Sequence, residues 1–238
     1  MAKHVLITAF EPFGGEKVNP SELVARSLEG RLIAGRPLAV RVVPVETRNI
    51  GERVSRAIEE TSPDVIIALG QAGGRHSLAL ERVAVNVLDF SQPDNVGVMR
   101  KNDPVLRGGP DARLSLMPFA EILAAWLEHG IPGYVSNTAG TFICNQLLYE
   151  TLGQCESSSP PIVAGFVHLP YLPAQAAALG AERTPSMSLE LMKRAIEIMI
   201  ETVVPWVEQR APDRGPARPA AAKGPQMWIP RGVKEVER

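Results

Sequence analysis

Short apolar runs alternate along the chain with longer segments whose apolar residues recur every three or four positions. Residues 4–10 (HVLITAF) and 64–70 (DVIIALG) are short, apolar and partly β-branched, which is typical of buried strands. The strands predicted from such runs span residues 4–10, 38–45, 64–70, 82–88, 133–137 and 161–169. Residues 91–117 are rich in Pro, Gly and Asp and are predicted to form a long loop.

The segments between these runs have the periodicity of amphipathic helices. The first helix has clear boundaries, because Asn19 is a favourable N-cap, Pro20 suits the first helical position and Gly30 suits the end. Further helices are predicted over residues 47–60, 119–129 and 188–204, and another after Cys144. Strands that alternate with helices in this way predict a layered α/β fold.

The composition is that of an ordinary globular protein, with 45% hydrophobic and 21% charged residues and a net charge of −1. The near-neutral charge gives no reason to expect nucleic acid or an anionic membrane as a partner. No apolar run approaches the ~18 residues of a membrane span, and the N-terminal segment has no signal-peptide pattern. Two cysteines cannot form a disulfide framework, which favours a reducing, cytoplasmic location.

The composition changes near residue 210. Residues 1–210 are predicted to form a single domain, which at this length can bury enough apolar surface without disulfides. Residues 211–238 contain five prolines, an alanine-rich middle, six basic residues and three acidic ones. This composition predicts a loosely ordered C-terminal tail.

Cys144, in the stretch SNTAGTFICNQLLYE, is the first candidate catalytic residue. It could be a small core side chain, since free cysteine is often buried. Alternatively, it is a nucleophile at a helix N-terminus, where free N–H groups would favour the thiolate and could receive an oxyanion. Cys155, in the polar stretch GQCESSSP, is interpreted as a residue of a polar loop without a role in the reaction.

A cysteine nucleophile needs a base and a group that orients the base. His168 ends the predicted strand 161–169, at a strand end of the kind where α/β proteins collect functional groups. Glu81, which lies earlier in the chain, begins another strand-like run, beside Arg82. A structural histidine and a surface ion pair are the alternatives, and spacing alone does not show that the three side chains meet.

Five sequence blocks follow one another along the chain: TAFEPFGG with NPS, GQAGGR with ERVAVNV, SNTAGTFICN, GFVHLPYLP and SMSLE. Together they resemble the pyroglutamyl-peptidase I (pyrrolidone-carboxylate peptidase) family of cysteine peptidases over about residues 4 to 205. The resemblance implies Glu81 as the acid, Cys144 as the nucleophile and His168 as the base. It also implies an α/β/α sandwich around a mixed, mostly parallel sheet, no metal or other cofactor, and usually a homotetramer in bacteria.

The resemblance further implies a substrate, because the family removes an N-terminal pyroglutamyl residue from peptides. This residue is a neutral, flat lactam, so its site needs apolar walls and hydrogen bonds to one N–H and one C=O. The residues predicted to contact it are Phe10, Phe13, Asn19, Gln71, Phe142 and Ile143. The phenylalanines would form the walls, and Asn19 and the backbone at Gln71 would hold the lactam. Core packing and helix capping are the alternatives for the phenylalanines and for Asn19.

One position departs from the family pattern. After ERVAVNV the family usually has Asp-Ala-Arg-Ile-Pro-Asp-Asn, whereas this chain has DFSQPDN, so that Ser91 replaces the arginine. This departure is the main support for a rival interpretation, a protein that binds pyroglutamyl peptides without efficient turnover. A thiol redox protein is a further alternative, although the chain has no C-x-x-C and its cysteines are eleven positions apart.

Overall fold

The computed structural model describes residues 3–180 and 183–210. Its strands are β1 (His4–Phe10), β2 (Leu32–Ile33), β3 (Arg36–Val43), β4 (Pro63–Gln71), β5 (Leu78–Glu81), β6 (Val83–Val85), β7 (Ala112–Leu114), β8 (Gly133–Ser136) and β9 (Val163–Leu169). Its helices are α1 (Pro20–Leu28), α2 (Ile50–Thr61), α3 (Phe119–Glu128), α4 (Ile143–Glu156), α5 (Pro173–Ala178) and α6 (Leu189–Arg210).

Seven strands form one mixed sheet in the order β2-β3-β1-β4-β9-β5-β8. Most neighbours are parallel; β2 is antiparallel to β3, and β5 is antiparallel to β9. Strands β6 and β7 pair separately as an antiparallel ribbon. Because β1, β4 and β9 are parallel neighbours, their carboxyl ends meet at one edge of the sheet, where ligands commonly bind in α/β proteins.

Alternating strand residues fill two apolar cores, one on each face of the sheet. In β1, Val5 and Ile7 belong to one core and Leu6 to the other, as the two-residue period of a strand requires. Helices α1, α3 and α6 cover the first core, and α2 and α4 cover the second. The fold is therefore the three-layer α/β/α sandwich that the family resemblance implies, and the layered α/β fold that the alternating pattern predicts is confirmed. Among the described residues, no helix combines the length and apolar character that crossing a membrane requires.

The elements predicted from the sequence are correct for most long segments and wrong around Glu81. The predicted strand over 82–88 is only the three-residue β6, and Glu81 does not begin a strand but ends β5. Strand β5 escapes prediction because it has only four residues, and all four are buried, so no alternation marks it. The predicted loop 91–117 contains β7, and the six-residue helix α5 is also missed.

Two helices extend further than their sequences predict. The segment around Cys155 is not a loop, because α4 continues to Glu156 and buries Cys155 to 7% exposure against the second core. Helix α6 continues through Pro205 to Arg210, since Val204 and Val207 pack on either side of the proline in the first core. The predicted C-terminal tail, residues 211–238, lies outside the described residues.

Candidate active site

Cys144 is the second residue of α4, and the site is built around it. Phe142 is the N-cap residue and has extended backbone geometry, and its side chain makes no capping hydrogen bond within the described chain. The first intrahelical bond runs from Gln146 N to Phe142 O, at 3.2 Å. The N–H groups of the preceding helical residues therefore have no partner inside the helix and remain available to an anion.

The start of α4 is held firmly by its own polar side chains. Asn145 is fully buried, accepts a hydrogen bond from Val85 N, and donates to Val85 O and Val87 O at 2.9–3.1 Å. Gln146 exchanges two hydrogen bonds with Thr47 through its side-chain amide. These bonds join α4 to the end of β6 and the residues just after it, and to the segment after β3, so that the position of Cys144 is fixed from two sides.

His168 and Glu81 form a buried hydrogen-bonded pair. His168 Nδ1 lies 2.7 Å from Glu81 Oε1, and the two residues are 4% and 0% exposed. In the register of β5 and β9, Glu81 faces Phe166, so Glu81 and His168 are diagonal neighbours within reach of each other. Since the bond to Glu81 occupies Nδ1, the other ring nitrogen, Nε2, is left for chemistry.

Gly70 shows how Cys144 reaches this pair. Gly70 is the register partner of His168 between β4 and β9. A Cβ atom on Gly70 would lie 3.2 Å from Cys144 Sγ and 2.6 Å from Phe166 Cζ. The sulfur therefore occupies the space that a side chain at position 70 would fill, directly beside the strand that carries His168. The structure thus brings the three predicted residues of the triad to one place.

Arg75 is a fourth ionisable member of the site, which the sequence alone did not single out. Its Nη1 lies 2.8 Å from Glu81 Oε1, the same oxygen that His168 contacts. The only signal in the sequence is its position at the end of the quoted block GQAGGR. A loop arginine is usually a solvated surface residue, which is why the sequence did not place it in the site.

The protonation states differ from the expectation that the helix N-terminus favours the thiolate. Burial and the negative charge of Glu81 raise the pKa of Cys144 to about 12, although Arg75 and the residue's own backbone N–H act in the opposite direction. Burial also lowers the pKa of His168, against the hydrogen bond to Glu81. For Glu81, burial would raise the pKa, but contacts with His168, Ser136 and Arg75 outweigh it and hold the pKa below its usual value. The resting pair is therefore a neutral thiol and a neutral imidazole beside an ionised carboxylate.

The aromatic residues predicted as pocket walls gather at the start of α4. Phe13 and Phe142 have ring centroids 6.2 Å apart, and both are half-buried at the edge of the second core. Phe90, which was not among the predicted residues, packs edge-on against Phe142 at 4.7 Å. Phe10 and Ile143 belong to the same apolar core but are 2% and 1% exposed, so they lie behind these rings rather than at the surface.

Gln71 ends β4 with one side of its backbone open. The ladder between β1 and β4 stops at Thr8 and Ala68, whereas the ladder between β4 and β9 continues to Gln71 and Leu169. Ala72 N bonds to Leu169 O, and strand residues alternate in direction, so the N–H and C=O of Gln71 point away from β9. They point to the side of β4 on which β1 lies, and β1 leads at Phe10 into the first loop, residues 11–19.

Asn19 holds that loop as a helix cap. Its Oδ1 accepts from Ser21 N and Ser21 Oγ, and its Nδ2 donates to Glu11 O. Asn19 is 1% exposed, so its polar atoms are already engaged inside the protein. The capping function is confirmed, and contact with a substrate remains a prediction.

Gln175, which was also absent from the predicted site, connects three segments of the chain around Gln71. Its Oε1 accepts from Leu172 N at 3.0 Å, which leaves Nε2 to donate to Gln71 Oε1 at 2.9 Å. Nε2 also lies 3.3 Å from Val18 O and from Glu16 Oε2. This buried amide in α5 therefore joins the first loop, the end of β4 and the turn after β9.

The two cysteines lie near opposite ends of α4, which excludes a disulfide between them. Eleven residues of helix separate Cys144 from Cys155, and at 1.5 Å per residue this corresponds to about 16 Å. A disulfide needs Cα atoms within about 7 Å. No group of three His, Cys, Asp or Glu side chains in the described ranges could hold a metal ion.

A separate cleft of about 420 Å³ lies between the N-terminus of α2 and the loop around residues 100–107. Asn49, Arg100 and Glu150 contribute to its walls. None of the predicted site residues lines it. The cleft is therefore distinct from the place where Cys144 and His168 meet.

Comparisons with known proteins agree on one family. The family model described as pyroglutamyl peptidase matches residues 3–205. A pyrrolidone-carboxylate peptidase of Coprothermobacter proteolyticus is 42% identical over 86% of this chain and 99% of its own. Another, from Klebsiella pneumoniae, is 45% identical over 82% of this chain and 90% of its own.

Solved structures show the same similarity. A mutant pyrrolidone carboxyl peptidase from Pyrococcus furiosus superposes with a TM-score of 0.83 at 37% identity, covering 86% of this chain and 99% of its own. The pyroglutamyl peptidase I of Bacillus amyloliquefaciens gives a TM-score of 0.80 at 37% identity, with coverage of 84% and 96%. The likeness extends over nearly the whole length of these enzymes.

Proposed function

The chain belongs to the pyroglutamyl peptidase family and is a cysteine-type hydrolase, and from this premise we propose that Cys144, His168 and Glu81 act together as its catalytic triad. The proposed reaction is hydrolysis of the amide bond after an N-terminal L-pyroglutamyl residue. The observation that carries the proposal is the 2.7 Å bond between His168 Nδ1 and Glu81, with Cys144 Sγ over the register partner of His168.

Acylation begins from the neutral thiol. His168 Nε2 takes the proton of Cys144 as Sγ attacks the pyroglutamyl carbonyl carbon, so thiolate forms only as it is used. The oxyanion of the tetrahedral intermediate lies at the free N–H groups of α4. Glu81 stabilises the imidazolium, which then protonates the leaving amine. The C–N bond breaks and a thioester remains on Cys144.

Deacylation repeats these steps with water as the nucleophile. Neutral His168 removes a proton from water, and the hydroxide attacks the thioester carbonyl. The same N–H groups receive the second oxyanion. The C–S bond breaks, His168 returns its proton to the thiolate, and free pyroglutamate leaves. The neutral resting state of the thiol and imidazole is thereby restored.

The proposed pocket selects a neutral ring. Phe13 and Phe142 are the walls, with Phe10 and Ile143 behind them, and the open N–H and C=O of Gln71 match the lactam's one acceptor and one donor. Asn19 shapes the first loop through its cap. A free N-terminal ammonium would lose water against these walls without gaining a partner. Peptides that begin with glutamine or glutamate are therefore expected to be very poor substrates.

The cysteine content and the family resemblance bear on the location and the assembly of the enzyme. Two cysteines, one of them the proposed nucleophile, favour a reducing compartment, and we propose the cytoplasm. The family resemblance supports a homotetramer. Size-exclusion chromatography with light scattering would test the tetramer, and a monomer at micromolar concentration would contradict it.

Turnover of pyroglutamyl-β-naphthylamide tests the function, and the two cysteines provide a matched pair of variants. We expect the wild type and Cys155→Ala to release naphthylamine at similar rates, whereas Cys144→Ala releases none. Binding of the substrate without turnover in the wild type would favour the rival binding protein. Comparable rates on glutaminyl and pyroglutamyl amides would contradict the lactam pocket.

A further inference from the structure

Arg75 and His168 share one oxygen of a fully buried carboxylate. Arg75 Nη1 and His168 Nδ1 lie 2.8 Å and 2.7 Å from Glu81 Oε1. The other oxygen, Oε2, is buried and has no hydrogen-bond partner within the described ranges. Ser136, the register partner of Glu81 in β8, lies near the carboxylate, but its hydroxyl donates to Thr138 O. With two donors on Oε1, the orientation of the carboxylate depends on Arg75 as well as on the histidine.

Arg75 is also the cation that acts on the reacting groups. In the part of the chain that the structure describes, the charges that act on both Cys144 and His168 are Glu81 from β5 and Arg75 from the loop after β4. Phe166 of β9, which packs on His168, and Gly70 of β4, which lies beside Cys144 Sγ, carry no charge. The guanidinium therefore offsets the buried carboxylate at both the thiol and the imidazole.

We propose that Arg75 is a positioning residue of the reaction: it holds the Glu81 carboxylate toward His168, and its charge favours the thiolate that forms on Cys144. The inference rests on the proposed triad. The side chain of Arg75 is 27% exposed, so it lies at the border of the site, where a guanidinium can face a buried carboxylate and keep contact with water. This position differs from that of Ser91, which is exposed and carries no charge.

The positive charge of Arg75 shifts the pKa of both reacting groups in the same direction. A positive charge disfavours a second positive charge on His168 and favours a negative charge on Cys144, so it lowers the pKa of both groups. Removal of the charge raises both values. Protonated His168 cannot act as a base, so the acid limb of the pH profile of kcat/KM must move to higher pH.

The test compares Arg75→Met and Arg75→Lys with a matched control, Arg36→Met. Arg36, at the start of β3, is a half-buried arginine that also faces a buried carboxylate, that of Asp64 at 3.3 Å, away from the site. The first measurement is the pH profile of kcat/KM on pyroglutamyl-β-naphthylamide. The second is the rate of iodoacetamide alkylation of Cys144 at fixed pH in a Cys155→Ala background, which does not require turnover.

For Arg75→Met we expect the acid limb to move up by about one pH unit, and alkylation to slow by about tenfold, since one nearby charge shifts a pKa by roughly that much. Arg75→Lys keeps the charge and should stay close to the wild type in both measurements. Arg36→Met should change neither.

A uniform fall of kcat/KM at every pH, with unchanged alkylation, would overturn the inference and leave Arg75 a structural residue. If Arg75→Met fails to fold, Arg75→Gln replaces it as a neutral variant that can still donate a hydrogen bond to Glu81, with the same expected shifts. The alkylation arm keeps the two proposals separate. Suppose that the wild type shows no turnover, while Arg75→Met is still alkylated more slowly than the wild type. This result would contradict the proposed function but would support the effect of Arg75 on Cys144.

Discussion

Substitution of Gly70 by alanine places one methyl group into the space that the reacting sulfur occupies. The added Cβ would lie 2.6 Å from Phe166 Cζ and 3.2 Å from Cys144 Sγ. The backbone of Gly70 is not in the left-handed region, so the conflict is steric alone. Phe166 packs on His168 with centroids 4.7 Å apart, so movement of its ring also disturbs the base.

Gly70→Ala is expected to lower both the stability and the activity of the enzyme. Overpacking of a buried site costs about 1–3 kcal/mol, and in a domain of this size each kcal/mol lowers the Tm by about 2–4 °C. Cys144 Sγ, at 3.2 Å, has to give way by only a few tenths of an ångström, whereas the Phe166 ring, at 2.6 Å, has to move further and packs on His168. A misplacement of reacting groups by about 1 Å costs on the order of 100-fold in rate. Gly70→Ala should therefore remain folded at 25 °C and lose about two orders of magnitude in kcat/KM.

Gly165→Ala is the matched control. Gly165 lies on the adjacent strand β9, and a Cβ there would meet Met117 Cγ at 2.6 Å in the first core, on the face of the sheet away from Cys144. We expect a similar loss of Tm, and kcat/KM within a few-fold of the wild type. The assay is hydrolysis of pyroglutamyl-β-naphthylamide beside thermal unfolding. Full activity in Gly70→Ala, or equal losses of activity in both variants, would refute the placement of the thiol beside β4.

Three other properties of the site can be tested. The acid limb of the wild-type kcat/KM profile should lie below pH ~6.5, because burial lowers the pKa of His168 and the imidazole stays neutral to lower pH; a limb above that value would contradict the neutral resting base. Gln175→Leu, which removes the bond to Gln71 Oε1, should raise KM more than it lowers kcat, and a change in kcat alone would argue against its role in shaping the pocket. Ser91→Arg should speed alkylation of Cys144 only slightly, because position 91 is exposed and solvent ions would screen the charge of the new arginine. An unchanged rate in a folded variant would mean that position 91 does not face the nucleophile.

The layers of the fold could be predicted because local patterns determine them. Strand β1 and the cap at Asn19 are visible in short, strongly patterned segments. Strand β5 was missed because its four buried residues carry no periodic signal, and its place between β8 and β9 depends on pairing across the chain. Such long-range pairing leaves no mark in the local sequence.

The sequence indicates which residues form the candidate site, but not their protonation states. Family motifs mark Cys144, His168 and Glu81 without any knowledge of distance. The balance of charge among them depends on burial, which a sequence does not specify. A helix N-terminus alone favours thiolate, whereas in the folded protein burial and Glu81 outweigh it. Arg75 and Gln175 became visible only through their contacts with residues already identified.

Cys144 is proposed to form a covalent acyl-enzyme, and mass spectrometry of the quenched enzyme detects this intermediate directly. The wild type would be mixed with an activated ester of pyroglutamate, for which acylation outpaces deacylation, and then quenched in acid. Digestion with pepsin separates the two cysteines, because Leu147, Leu148 and Tyr149 lie between them whereas no basic residue does. We expect one pyroglutamyl group on the peptide that contains Cys144 and none on the peptide that contains Cys155. Turnover of the ester with no adduct at Cys144, or with the adduct at another residue, would contradict it.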